Sequence, residues 1–415
     1  MKHLFIFNSF VNYIGPASTI ILNIIFTPLL INFYGLDNWT IIGLIFLLQP
    51  ICYLVLFGTN NFINREIINI FNLNKSSEIL SLFNQIEKKL YLKSIIFFLI
   101  LLIFLLILSE IQYIEYAKFS LIVLVLIITL KIFEIFFSAT LNGLKDHLIL
   151  NLLLTFSSIL KWALGYFIIL FWNLSINYFL LIFLLMTFIT LLMLKIRVKF
   201  FFYGISREVK YIYTNKKFLN DIAKTAIFIL LIFQFDKFII IFSESKKQLG
   251  SFSLAFMVAS SLPQLITPML SYFAPILNEL NELNESLKHS KLNLKLILYN
   301  IFFSTTCGIT ILFFGERLLT FWLGDPDLSK NVHKYLIPLS LIYLNYNLLI
   351  QMQNYFTSTK NLSRFKIILI YISILLLILL IICKIYLTFL FFLYCSMLVL
   401  TSLSIFFYTS LIYKK

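Results

Sequence analysis

Long apolar runs alternate with short polar ones along the chain, and their lengths predict helices that cross a bilayer. About 20 apolar residues cover roughly 30 Å of hydrocarbon. On that criterion twelve runs qualify, at residues 8–33, 39–58, 94–109, 119–141, 148–172, 176–194, 222–242, 251–273, 296–314, 335–356, 366–383 and 386–412. Polar residues inside these runs fall on stripes. The eighth carries Ser253, Ser260, Gln264, Thr267 and Ser271 at spacings of three, four or seven, which places them on one helical face. The first has Asn8, Asn12, Thr19 and Asn23 on one face, and the tenth has Asn347, Gln351 and Asn354. Polar groups in hydrocarbon are stabilised only by partners or water, so these faces are expected to look onto protein or a hydrated cavity. Amides there either hydrogen-bond sugar hydroxyls or join helices.

A basic connection at 195–221, with Lys195, Arg197, Lys199, Arg207, Lys210, Lys216 and Lys217, divides the runs into two sets of six. The expected division is an N-terminal six-helix lobe at 1–200, a basic cytoplasmic linker at 201–221 and a C-terminal six-helix lobe at 222–415. Each half begins alike. A first span leads through a short turn with glycine (Gly35; Ser243 to Leu249 with Gly250 at its end) to a proline-bearing span (Pro50; Pro263 and Pro268), then to a polar segment with helical charge spacing at 64–93 or 278–295. Such parallel repeats predict an all-α polytopic membrane protein, about twelve transmembrane helices in two six-helix lobes around a central cavity that holds the ligand.

Composition agrees, with 61% hydrophobic and 12% charged residues, more apolar than a soluble core requires. A net charge of +15 would suggest nucleic acid as partner of a soluble protein, but here it reports topology instead. Of the 33 Lys and Arg residues, 23 lie on the side of the N-terminus, 7 opposite and 3 within spans. The positive-inside rule then places both termini in the cytoplasm. Cys52, Cys307, Cys383 and Cys395 all lie in apolar spans with no metal-ligand spacing, and read as small apolar fillers. The N-terminus shows no small-residue cleavage site, so the first span is expected to remain. The Ile, Phe, Asn, Lys and Leu bias fits a low-GC, bacterial coding sequence.

Charge within the spans is the main candidate chemistry. Lys131 and Glu134 are three residues apart on one face of the fourth span, Lys161 is at the midpoint of the fifth, and Asp236 and Lys237 lie in the seventh. Each such group costs roughly 2.5–3.5 kcal/mol at the bilayer centre if unpaired. They are expected to pair with one another or face an interior cavity, and Lys237, nearer its span's outer end, can also snorkel. Arg65, at the cytoplasmic mouth of the second span, suits a phosphate or serves as a positive-inside flank. No Walker motif, metal cluster or catalytic arrangement stands out. His3, His147, His289 and His333 are scattered, and Asp325-Pro326-Asp327 reads as a turn rather than a catalytic acid pair.

The stretches Pro28-Leu29-Leu30-Ile31-Asn32-Phe33-Tyr34-Gly35-Leu36, Asp236-Lys237-Phe238-Ile239-Ile240 running into Leu249-Gly250-Ser251-Phe252-Ser253-Leu254-Ala255, and Phe314-Gly315 through Phe321-Trp322-Leu323-Gly324 resemble a polysaccharide or O-antigen flippase. That is the Wzx-type branch of the multidrug/oligosaccharidyl-lipid/polysaccharide exporter superfamily, which includes the MATE transporters. Asn32 stands where many relatives carry a basic residue. The resemblance implies a non-enzymatic, multi-pass protein of the bacterial inner membrane, without a cofactor, that moves an undecaprenyl-diphosphate-linked oligosaccharide to the periplasmic leaflet. It implies diphosphate binding by Lys161, Lys131, Arg65 and Lys237, sugar contacts from Asn8, Asn12, Asn23, Gln264, Asn347 and Gln351, and H⁺ or Na⁺ coupling through Asp236 or Glu134. It leaves room for association with other polysaccharide-assembly proteins. The rival expectations are a MATE-like drug/cation antiporter, which favours acidic cavity groups, and a membrane polymerase or glycosyltransferase, which needs a large outer loop or acid pair.

Overall fold

The computed structural model describes residues 2–56, 76–110, 118–144, 146–203, 246–282 and 285–358, with most side chains from Tyr13 onward, and isolated positions at Ile63, Ile67, Lys224, Thr225, Phe228, Gln234, Lys237, Ile240, Leu369, Ile372 and Ile374. Every regular element among these residues is helical, as hydrocarbon demands of a chain that must satisfy its own backbone. Seven helices among them are long and apolar enough to cross a membrane, so this is a multi-pass membrane protein. The twelfth predicted span, and most of the seventh and eleventh, lie outside the described residues.

Contacts gather the chain into two units, Met1–Ile227 and Phe228–Lys415. In the first, α1 (Lys2–Tyr34) meets α2 (Leu36–Leu48) at Gly35, whose φ of 79° is accessible to glycine at little cost. A 3₁₀ turn at Gln49–Ile51 follows, built around Pro50, and then α3 (Cys52–Leu56). Next come α4 (Ser76–Glu110), α5 (Lys118–Gly143) and α6 (His147–Ile159). A single π turn, Leu160–Leu164, carries α6 into α7 (Gly165–Trp172), which ends on left-handed Asn173 before α8 (Ile176–Phe201). The second unit contains α9 (Lys246–Glu282), α10 (Ser286–Leu323) and α11 (Pro326–Ser358).

Several helices run well beyond the predicted spans, two of them most of all. The third span, read as 94–109, is the apolar end of the 35-residue α4, and the ninth, 296–314, is the middle of the 38-residue α10. At about 1.5 Å per residue both exceed the roughly 30 Å hydrocarbon core. Helical hydrogen bonding continues past the ends of the apolar runs, which record only the stretch composed for hydrocarbon. Gly250, read as the end of a turn, lies within the first turns of α9; Ser253 Oγ donates to its carbonyl at 2.8 Å.

In the first unit α1 packs on α6 along small and hydroxylated positions. Ser18 Oγ donates to Thr155 Oγ1 at 3.1 Å, and Thr19 Oγ1 bonds Ser158 Oγ at 2.9 Å. At Gly15 the helices meet so closely that a Cβ would lie 2.6 Å from Asn151 Oδ1. Small residues allow this approach, and dispersion with interhelical hydrogen bonds holds it. Gly15→Val is expected to destabilise the protein by about 1–3 kcal/mol through overpacking. Thermal unfolding in detergent would measure this; an unchanged midpoint would show that α1 can move aside freely.

In the second unit α11 packs on both α9 and α10. The polar stripe of α9 is largely self-satisfied. Ser260 Oγ donates to the Met257 carbonyl at 3.2 Å and Thr267 Oγ1 to the Pro263 carbonyl at 2.8 Å. Short hydroxylated side chains reach their own helix backbone, so a stripe of them does not require a cavity.

Candidate functional site

Lys131, Glu134 and Lys161 come together in the first unit. Helical spacing on α5 puts the Lys131 ammonium 2.7 Å from Glu134 Oε1, the i,i+3 pair expected from the sequence. The π turn after α6 adds what the sequence did not reveal: the Lys161 ammonium lies 3.8 Å from Glu134 Oε2. Lys161 and Glu134 are buried, 5% and 8% exposed, and Lys131 is partly buried. The extra residue of a π turn widens one turn of helix and shifts the side chains that follow, a local irregularity frequent at functional sites.

Aromatic rings wall the cluster. Lys161 Nζ sits 5.6 Å from the centroid of the Phe183 ring. Trp162, next to it, stacks on Phe46 at 6.1 Å and contacts Phe179 and Phe183. The neighbourhood is therefore a low-dielectric one in which charge interactions are strong. Two ammonium groups share one carboxylate, whose Oε2 has no hydrogen-bond partner among the described residues. The three groups together carry a formal excess of one positive charge, which an entering anion would offset.

Lys237, in the second unit, is 2% exposed, with its ammonium 4.7 Å from the Phe256 ring centroid and 5.3 Å from that of Tyr343. It is buried among protein side chains rather than extended to an interface, and the two ring faces contribute cation–π attraction. Arg65 and Asp236 lie outside the described residues, as do the side chains of Asn8 and Asn12.

The remaining amides behave differently from one another. Asn23 Oδ1 is buried without a partner among the described residues. Gln264 is exposed and donates to the Ser260 carbonyl at 3.3 Å. Gln351 is tied into α10: it accepts from Asn300 Nδ2 and donates to the Asn293 carbonyl at 3.1 Å. Asn347, fully buried one turn away on α11, has neither amide atom partnered among the described residues. The sequence reading missed Asn293 and Asn300, although their spacing of seven would have marked a stripe on α10 facing that of α11.

At one end of the first unit, Arg197 Nε pairs with Asp146 Oδ2 at 2.7 Å, and Lys195 reaches Glu87 at 3.0 Å and Tyr91 OH at 2.8 Å. These partly exposed pairs join α8 to the α5–α6 turn and to α4. Asp325 Oδ1 accepts the backbone N–H groups of Asp327 and Leu328 at 2.9 and 3.1 Å, capping α11 with Pro326 in its first turn. Its carboxylate is occupied as a helix cap, in keeping with the turn reading. Among the described residues no group of His, Cys, Asp and Glu is arranged to hold a metal ion.

No protein-family model matches the sequence, and no curated protein does. Solved structures do. The chain is 13% identical to a MATE family multidrug resistance transporter of the MOP superfamily in its outward-facing conformation, with a TM-score of 0.67 over 97% of this chain and 93% of that one. It is 15% identical, with a TM-score of 0.67, to a ligand complex of the MATE multidrug transporter DinF-BH, covering 100% of this chain and 96% of the other. A MOP superfamily transporter from Pyrococcus furiosus, whose reversed binding-pocket polarity is said to suggest a different function, gives 13% identity and a TM-score of 0.66 over 97% and 93%. The chain thus has the all-helical fold of MOP superfamily transporters along nearly its whole length.

Proposed function

We propose that this protein is a flippase that moves an undecaprenyl-diphosphate-linked oligosaccharide, an O-antigen or capsule repeat unit, from the cytoplasmic to the periplasmic leaflet by alternating access. The observation that carries this reading is the Lys131–Glu134–Lys161 cluster, where two ammonium groups share one carboxylate out of water. A diphosphate oxygen approaching Lys161 would meet a cation that Glu134 holds only at 3.8 Å. The buried Lys237 adds a second cationic position in the other unit. In this proposal the division is an N-terminal lobe at 1–200, a basic linker at 201–221 and a C-terminal lobe at 222–415, with both termini cytoplasmic in the bacterial inner membrane.

Arg65 would receive the diphosphate at the cytoplasmic mouth. Asn23 and Asn347, with their unpartnered amide atoms, are better placed to exchange hydrogen bonds with sugar hydroxyls than Gln351, whose amide already joins two helices. Asn8, Asn12 and Gln264 complete the proposed sugar contacts, and Glu134 or Asp236 would couple an ion.

The likeness to MATE multidrug transporters favours a second reading, a drug/cation antiporter. Reconstituted vesicles separate the two. The flippase reading predicts transbilayer movement of a fluorescent undecaprenyl-diphosphate oligosaccharide, faster under an imposed proton or sodium gradient. Transport of cationic dyes with no movement of the lipid-linked glycan would establish the antiporter, and elongation of the glycan would establish an enzyme.

A further inference from the structure

Just past the apolar run at 296–314, α10 carries Glu316 and Arg317 side by side in sequence; a hydrocarbon core of roughly 30 Å would place this end of the 38-residue helix in the headgroup layer. They line an open groove of about 660 Å³ together with Phe313, Thr320, Phe321 and, from α11, His333. Phe313 and Phe321 are 69% and 92% exposed, and the exposed face of α10 continues below them through Ile309 and Leu312. Apolar surface of that kind at an interface is stabilised by acyl chains rather than water.

The polar end of the groove is held in place. His333 Nε2 lies 3.0 Å from the Ile311 carbonyl, and Gly315 lets the imidazole approach so closely that a Cβ would be 2.8 Å from it. Glu316 Oε2 lies 4.0 Å from His333 Nδ1, a contact too long for a hydrogen bond. The Arg317 guanidinium has no ion-pair or hydrogen-bond partner among the described residues. The groove is therefore lined by a free guanidinium and a weakly engaged carboxylate, together with exposed apolar side chains.

We infer that this groove binds the headgroup of a zwitterionic aminophospholipid. The guanidinium takes the phosphate through its paired N–H donors, and the Glu316 carboxylate takes the primary ammonium. Each half of the headgroup meets its opposite charge. A choline headgroup has the same charges but no N–H to donate to Glu316, and a glycerol headgroup offers Glu316 no cation.

The test is native mass spectrometry of the purified full-length protein in detergent, titrated with phosphatidylethanolamine, phosphatidylcholine or phosphatidylglycerol of identical acyl chains. Wild type is expected to retain phosphatidylethanolamine about tenfold more tightly than either other lipid, the difference that one charge-assisted hydrogen bond supplies. Glu316→Gln should erase that preference while leaving phosphate-dependent binding, and Arg317→Gln should weaken all three lipids. Both positions are exposed, so equal melting temperatures for the variants and wild type are expected and confirm folding. Equal retention of the three lipids by wild type, tighter binding of phosphatidylglycerol, or a preference that survives both substitutions would overturn the inference.

Discussion

Lys161→Ala is expected to abolish transport of the lipid-linked diphosphate while leaving the protein folded and inserted. The two halves of this expectation have separate causes. Lys161 supplies the charge in excess of what Glu134 neutralises, so its removal leaves Lys131 and Glu134 as a matched pair at 2.7 Å. Folding therefore loses little beyond the packing of a lysine stem against Phe183. Binding loses a desolvated cation, which for a buried charge contact costs about 2–5 kcal/mol, or at least about thirtyfold in affinity. Lys161→Met, which fills the space without the charge, should fail equally, and Lys161→Arg should retain measurable transport. The measurement is initial transport rate in vesicles, normalised to reconstituted protein. Full activity in Lys161→Ala would remove Lys161 from the site and with it the main support for an anionic substrate.

The membrane character of the chain was legible because hydrocarbon imposes one demand, a run of apolar residues with internally satisfied backbone. Even there the sequence reported the bilayer rather than the helix: α4 and α10 continue well beyond their apolar runs. The polar stripes show a sharper limit. Periodicity correctly places Ser260 and Thr267 on one face, and Gln351 with Asn347 on another. Yet the hydroxyls of α9 fold back on their own carbonyls, while Gln351 crosses to Asn293 and Asn300. Which outcome a polar side chain reaches depends on its length and on the facing helix, and spacing within one helix contains neither.

The candidate site divides in the same way. Lys131 with Glu134 could be read from a spacing of three residues. The contact of Glu134 with Lys161 could not, because it depends on how α5 packs near the π turn, and nothing in Leu160-Lys161-Trp162-Ala163-Leu164 announces that turn. Lys237 illustrates the reverse case. Its place near a span end left an interior and an interfacial side chain equally open, and the structure buries it against the ring faces of Phe256 and Tyr343.

Glu134→Gln should have the largest effect on stability of any substitution in the cluster. It leaves two ammonium groups facing one another in a low-dielectric interior with no carboxylate between them. Removing one member of a buried ion pair costs about 3–5 kcal/mol, because the remaining charge stays desolvated. Here two remain. The expected result is a marked fall in the thermal midpoint in detergent and reduced recovery of inserted protein. Lys131→Met and Lys161→Met added to Glu134→Gln should largely restore the midpoint, since a neutral cluster of similar volume leaves no buried charge to pair. That triple variant should nevertheless remain inactive, for it lacks the two clustered ammonium groups proposed to receive the diphosphate inside the first unit, although Arg65 and Lys237 remain. A Glu134→Gln protein as stable as wild type would mean that water or another group already neutralises the lysines. A triple variant that is both stable and active would mean that the cluster serves packing alone, and that the substrate's charge is met elsewhere in the molecule.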